Sequence, residues 1–230
     1  ITNFNGTNVG GTGLSLTNTG ALNITGISQT GGGGLVIANT GAITQSGAIT
    51  AASTSSFSAG SNSITLGNTS NFFNGAVSVS NSGATNDVTI FDSTALQMAS
   101  STVGRHLIIT SNVGITQSGI LASSNGGMLT AKTLAASGNI VLSSFANEFS
   151  TIDLRSRNST DTANAAGTIS YTDASFFDIN AISTTNTINL ISGGIITDSG
   201  VITGSTLTTS SVGGVVLNSA NTVTGFNATN

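Results

Sequence analysis

The chain has no cysteine, no proline and no tryptophan among its 230 residues. Without cysteine it has neither a disulfide framework nor a thiolate metal site. Charged residues make up only 5% of the chain, and four Lys and Arg against eight Asp and Glu leave a net charge of −4. Because so few cations give phosphate groups nothing to bind, we expect no nucleic-acid partner. We also expect no membrane span, since no apolar run approaches the roughly 20 residues that a spanning helix needs.

Glycine, serine, threonine and asparagine supply the polar residues instead, and they alternate with short clusters of Ile, Val and Leu. A disordered chain has high net charge and few β-branched residues, whereas this chain has the opposite composition. Apolar residues recur at every second position in short stretches such as 64–66, 88–90 and 140–142. This period is typical of short strands with one buried face, so we predict an all-β fold.

A five-residue motif recurs three times along the chain. Ile-Thr-Gln-Ser-Gly occupies 43–47 and 115–119, and Ile-Thr-Asp-Ser-Gly occupies 196–200. The matches extend through 43–49, 115–121 and 196–202, and an Asn-and-Phe block follows each copy. The repeat anchors are Ile43, Gly47, Ile115, Gly119, Ile196, Gly200, Phe73, Phe149 and Phe226. A period of this kind is typical of solenoid proteins.

Strands this short and turns this dense favour a solenoid over a sandwich. Coils of about 20 residues stack their strands in parallel at about 4.8 Å, so residues 1–230 predict one shaft of about twelve coils. The residues expected to point inward are Leu16, Ile37, Ile43, Ile90, Ile109, Ile115, Leu190 and Ile196. With about four coils per long repeat, the anchors should lie on matched sides, with Gly47 at a corner. If that corner needs a positive φ, Gly47→Val should cost about 1 kcal/mol or more.

Two runs carry a resemblance to a known family. Residues 41–50, Gly-Ala-Ile-Thr-Gln-Ser-Gly-Ala-Ile-Thr, and 14–22, Leu-Ser-Leu-Thr-Asn-Thr-Gly-Ala-Leu, resemble the repeat shafts of filamentous-haemagglutinin-like exoproteins, the large secreted adhesins of bacteria. The resemblance implies a right-handed parallel β-helix, export to the bacterial cell surface, and a role in attachment or in an extracellular fibre. The Asn-Pro motifs of that family's secretion domain are missing from this proline-free chain. The end-function of such exoproteins is therefore not carried over, and we expect the segment either to continue covalently in a longer exoprotein or to stack head to tail into a fibre.

The densest charged cluster is Asp153-Leu154-Arg155-Ser156-Arg157. Strand alternation places Asp153, Arg155 and Arg157 on the outward face and Leu154 inward. Polysaccharide-active β-helix enzymes use such stripes, but a glycosidase needs two carboxylates facing each other. One carboxylate between cations favours a solvated ion pair instead.

Other sites receive structural interpretations. His106 is the only histidine and lies beside Arg105 in a predicted turn, so we expect no triad, metal or cofactor. In the pairs at 72–73 and 176–177, one Phe must point inward as a core residue, which leaves the outward ring as a candidate sugar-stacking surface.

Three functions remain in order of preference. The first is a non-catalytic structural or adhesive shaft, joined head to tail to its own copies or covalently continued, with host or matrix glycans as candidate partners. The second is an ice- or surface-binding β-helix, suggested by the threonines at 206 and 208 and at 65. The third is a polysaccharide-active enzyme.

Overall fold

The computed structural model describes residues 1–230 as an all-β solenoid of about 11 turns with no helix. Every pairing between its strands is parallel, which confirms the predicted fold class. No helix in the structure has the length and apolar character that crossing a membrane requires. The strands are β1 (Asn3–Asn8), β2 (Leu14–Asn18), β3 (Leu22–Gln29), β4 (Leu35–Asn39), β5 (Ile43–Gln45), β6 (Ile49–Ala51), β7 (Ser55–Ser58), β8 (Ile64–Leu66), β9 (Phe72–Phe73), β10 (Val77–Ser80), β11 (Val88–Asp92), β12 (Leu96–Met98), β13 (Ser101–Val103), β14 (Leu107–Ser111), β15 (Ile115–Gln117), β16 (Leu121–Ser123), β17 (Met128–Leu134), β18 (Ile140–Asn147), β19 (Thr151–Arg157), β20 (Ile169–Asp173), β21 (Phe177–Ser183), β22 (Ile188–Ser192), β23 (Ile196–Asp198), β24 (Ile202–Ser211), β25 (Val215–Val216) and β26 (Thr222–Thr229).

The strands stack in two ladders on opposite sides of the core. The first ladder runs β2, β4, β7, β10, β12 with β13, β15 with β16, β18, β20, β22, β24 and β26. The second ladder runs β1, β3, β5 with β6, β8 with β9, β11, β14, β17, β19, β21, β23 with the start of β24, and β25 with the start of β26. Each turn of the chain therefore contributes one level to each ladder.

Alternate residues of each strand fill one continuous core of 41 buried apolar side chains. In β14, for example, Leu107 and Ile109 are fully buried while Ile108 between them is half-buried. Seven of the eight residues predicted to point inward are buried. The exception is Leu16, which is half-buried against the core because β2 pairs with a strand on one side only.

The repeat anchors do not share one side of the solenoid. Ile43 pairs with Ile64, Ile64 with Val88, and Val88 with Leu107, all in the second ladder. Ile115 belongs to the next strand along the chain, β15, which lies in the first ladder. The repeat thus spans three and a half turns instead of four, so the expectation of matched sides is wrong for Ile115.

The next repeat adds another half turn. From Ile115 the first ladder passes through Ile140 and Ile169 to Ile188, and Ile196 then begins β23 in the second ladder. Ile43 and Ile196 therefore lie on the same side. At each copy of the motif one ladder has two short strand segments on the same level, and the ladder in which this happens alternates. The two segments are β5 and β6 in the second ladder, β15 and β16 in the first, and β23 and the start of β24 in the second again.

The glycines of the motif are required by close approach and not by a positive φ, which Gly47 does not have. Positive-φ glycines lie elsewhere, for example at Gly20 and Gly60. A Cβ on Gly47 would lie 1.8 Å from the carbonyl oxygen of Thr25 in the preceding turn. The equivalent distances are 2.4 Å from Gly119 to the Ser100 nitrogen and 1.7 Å from Gly200 to the Asn180 oxygen. The backbones of successive turns therefore meet where the motif ends.

Candidate functional site

The glutamine of the repeated motif is held by an asparagine from the next turn. Nε2 of Gln45 donates a hydrogen bond to Oδ1 of Asn71, whose Nδ2 donates to Oε1 of Gln45 at 3.1 Å. The same Asn71 Oδ1 accepts from the backbone N–H of Ile49 at 2.9 Å. Asn71 is fully buried, so this Gln–Asn cluster satisfies polar groups that burial would otherwise make costly.

The second copy of the motif builds the same cluster on the other ladder. Gln117 Nε2 donates to Asn147 Oδ1 at 3.0 Å, and Asn147 Nδ2 donates back to Gln117 Oε1 at 3.2 Å. The backbone N–H of Leu121 donates to Asn147 Oδ1 at 3.0 Å, as that of Ile49 does to Asn71 in the first copy. The Gln–Asn cluster is therefore a repeated structural element that joins one turn to the next.

The third copy carries an aspartate in place of the glutamine and keeps the connection. Asn221 Nδ2 donates to Asp198 Oδ2 at 2.6 Å, and the N–H of Ile202 donates to Asn221 Oδ1 at 2.8 Å. The sequence pattern identified the motifs and the asparagines but did not indicate that their side chains are in contact. The available signal was that Gln or Asp in the motif recurs together with Asn71, Asn147 or Asn221.

The charged cluster on β19 neutralises itself. Arg155 donates to both carboxylate oxygens of Asp153, at 2.5 and 2.7 Å, and Asp153 is only 6% exposed. Arg157 turns instead to Asp161 at 3.0 Å, which also accepts from Lys132 at 2.6 Å. The Lys132 hydrogen bond, followed by that of Arg157, holds the pKa of Asp161 below its usual value. The outward stripe contains ion pairs and no second carboxylate facing Asp153.

The remaining cation and the histidine also serve the turns. Arg105 makes a bidentate pair with Asp87, at 2.7 Å for each bond, and this hydrogen bond lowers the pKa of Asp87. Nδ1 of His106 accepts from the backbone N–H of Met128 in the next turn at 2.9 Å. No group of three or more His, Asp or Glu side chains is placed to hold a metal ion.

The phenylalanine pairs divide as expected between core and surface. Phe73 and Phe177 are buried, as is the anchor Phe149, while Phe176 is 56% exposed. Phe176 lines a cavity of about 180 Å³ together with Glu148. The anchor Phe226 pairs with Leu207 and continues its row, but is 51% exposed in the terminal strand β26.

The outward threonines form only a short row. Thr65 lies opposite Thr89, and the next position in the row is Ile108. Thr208 lies beside Asn189 and Asn227, so its row contains no second threonine there. The two-row threonine array expected of an ice-binding face is therefore interrupted within a few turns.

A neutral groove of about 580 Å³ follows the first ladder over its first six levels. One row of outward residues forms part of it, with Thr17 opposite Ala38, Ala38 opposite Ser58, Ser58 opposite Ser80, and Ser80 opposite Thr102. None of its lining residues is charged or aromatic. We call this feature the hydroxyl groove.

Comparison with known proteins gives one match. A family model described as Repeats of unknown function (DUF5649) matches residues 2–80 and 85–154. No curated protein and no solved structure matches the chain.

Proposed function

The chain belongs to the DUF5649 family of repeats, and we propose that it forms a structural and adhesive shaft of a secreted bacterial surface protein. The observation that carries the proposal is the use of its polar side chains to connect turns. Asn71, Asn147 and Asn221 each bind the turn before them, and the ion pairs Arg105–Asp87 and Lys132–Asp161 also join neighbouring turns. Side chains that bridge successive turns hold the stacked turns together as a rigid rod.

The same distribution supports a non-catalytic role. Asp153 is engaged by Arg155, and His106 accepts a backbone hydrogen bond through Nδ1. A glycosidase needs two carboxylates across a cleft, and a triad needs a histidine free to accept a proton from its nucleophile. Location at the cell surface is supported by the resemblance of residues 41–50 to secreted adhesin repeats.

The terminal strands support continuation of the shaft. β2 pairs only with β4, and β26 only with β24, so the outer edge of each carries backbone groups with no strand partner. We propose that further turns cover these edges, either as covalent continuation or as copies stacked head to tail. The net charge of −4 opposes such stacking only weakly at physiological salt.

Sedimentation over a range of concentrations, with electron microscopy, tests the stacking of copies. We expect rods that lengthen with concentration. Phe226→Lys, which places a charge over the core at the uncovered end, should keep the chain monomeric, whereas Asn227→Lys on the outward side should not. Monomers of unchanged length at every concentration would refute the stacking.

Protease treatment of intact bacteria that carry the parent protein tests the location. We expect an antibody epitope within the repeats to be lost from intact cells. An epitope protected until the cells are lysed would refute the surface assignment.

A second candidate, an ice-binding face, rests on the stack of Thr65 on Thr89. A thermal-hysteresis measurement on the chain decides it, and Thr65→Val with Thr89→Val is the variant that should abolish any activity.

A further inference from the structure

Most buried hydroxyls of the solenoid are used by its own backbone. Thr133 Oγ1 donates to the Gly138 carbonyl at 2.9 Å, and Ser156 Oγ donates to the same carbonyl at 3.2 Å. Ser211 Oγ donates to the Gly214 carbonyl at 2.7 Å. These side chains close the corners, and their hydroxyl protons are already donated to the backbone.

The hydroxyl groove differs from these corners. The hydroxyls of Thr17, Ser58, Ser80 and Thr102 lie in one row, and none of them hydrogen-bonds to another group of the chain. Rungs of a parallel stack are about 4.8 Å apart, so the row from first to last is roughly 19 Å long. It therefore presents donors and acceptors along the rod axis, with one gap at Ala38 between Thr17 and Ser58.

Buried amides fix the wall of the groove. Asn39 Nδ2 donates to the carbonyls of Gly20 at 2.9 Å and Gly41 at 2.8 Å. Asn81 Nδ2 donates to the Asn62 carbonyl at 2.8 Å, and its Oδ1 accepts from the Gly104 N–H at 2.8 Å. Because these side chains are held in place, the groove is formed before any ligand arrives, which lowers the entropic cost of binding.

The lining selects the class of ligand. With no charged residue it offers no counter-charge to a phosphate, a sulfate or a basic peptide, and Ala38 is its single apolar side chain. An extended chain that carries hydroxyls at regular intervals matches it. We infer that the hydroxyl groove binds a linear, uncharged polysaccharide along the rod axis.

This inference rests on the proposed adhesive role and assigns it a site. The probes are cellohexaose, xylohexaose and maltohexaose, titrated into the whole chain by calorimetry, with the site mapped by backbone amide NMR. We expect at least one of the three to bind and to shift amides of the groove strands β2, β4, β7, β10 and β13. A sulfated hexasaccharide should bind no more tightly than the best neutral one.

The test variant is Ser58→Ala with Ser80→Ala and Thr102→Val, which removes three groove hydroxyls and keeps the shape. We expect affinity to fall about tenfold, since each hydrogen bond contributes only modestly. The matched control is Ser170→Ala with Ser210→Ala and Thr208→Val, on the outward face of the same ladder beyond the groove. It should bind as the unaltered chain does.

Three results would overturn the inference: no binding of any neutral probe, an equal loss of affinity in the control, or amide shifts confined to another surface. Rod assembly is measured separately by sedimentation and does not involve the groove hydroxyls. A chain that stacks but binds no sugar would refute the groove and keep the shaft.

Discussion

The hydroxyl of Tyr171 donates a 2.5 Å hydrogen bond to Oδ2 of Asp173, deep inside the solenoid. In the preceding repeat Asp92 accepts from the N–H groups of Phe73 and Thr94, as Asp173 does from those of Phe149 and Ser175. Ile90 occupies the position of Tyr171 there, and Oδ2 of Asp92 is buried with no hydrogen-bond partner. Two carboxyl groups in matching positions thus meet different surroundings. Burial raises the pKa of Asp92 above its usual value, even though Thr94 and Phe73 donate hydrogen bonds that lower it.

This contrast predicts opposite effects of the same substitution. Asp92→Asn removes a buried charge, so at pH 7 it should leave the free energy of unfolding unchanged or raise it. Asp173→Asn should lower it by about 1–3 kcal/mol, because Tyr171, Ser175 and the Phe149 N–H all donate to the carboxylate. Denaturant unfolding at pH 7 measures both, and a larger loss at Asp92 would contradict the assignment.

The raised pKa of Asp92 predicts that the free energy of unfolding depends on pH. The folded pKa of Asp92 lies above the unfolded one, so the folded state holds the proton more tightly and stability falls as pH rises through the folded value. The stability of Asp92→Asn minus that of the unaltered chain should therefore increase from acid to neutral pH. Unfolding curves at several pH values measure this difference, and a difference that stays flat or decreases would refute it.

Close contact between turns predicts a steric cost at Gly47. Gly47→Ala should lower the free energy of unfolding by about 1–3 kcal/mol, since its Cβ would overlap the Thr25 carbonyl and one of the two turns would have to move. Gly67→Ala is the control, because a Cβ there meets open space and the expected change is within about 0.5 kcal/mol. Equal midpoints of denaturation for the two variants would contradict the close approach.

Removing one partner of a Gln–Asn cluster should lower the free energy of unfolding. Gln117→Ala removes two hydrogen bonds to the buried Asn147 amide and one to the Gly119 carbonyl, and should cost about 1–3 kcal/mol. Gln97→Ala changes an exposed glutamine of the neighbouring strand and should have little effect. Thermal unfolding of the two variants compares them directly, and similar melting temperatures would show that the cluster contributes nothing.

We expect the charged cluster to stabilise the fold and to have no catalytic activity. Arg155→Met leaves the buried Asp153 with only a long bond from Asn180, so it should cost about 1–3 kcal/mol. Arg157→Met should cost less, because Lys132 remains bound to the more exposed Asp161. If a reducing-end assay instead detected polysaccharide cleavage that Arg155→Met abolished, the non-catalytic interpretation would be wrong.

Strand alternation in the sequence was enough to predict most of the core, and the repeats with their short strands and dense turns predicted the parallel stack. The side on which each repeat lies was not predictable from an average turn length. Ile43 to Ile64, Ile64 to Val88 and Val88 to Leu107 are each one turn, yet they differ in residue number because the corners differ in length. Likewise, the repeated motif identified Gly47 as an equivalent position in each copy. Its contact with Thr25 depends on how the turns stack and could not be predicted from the spacing.

The half turn in the repeat has a consequence for how such proteins can grow. Duplicating one repeat rotates every later feature to the opposite flank of the rod, whereas duplicating two restores its original direction. A surface patch that must face one way can therefore recur only in every second repeat, just as the core residues Ile43 and Ile196 return to the second ladder. A long array built from this unit would present two alternating sets of surfaces, back to back, to whatever lies on either side of it.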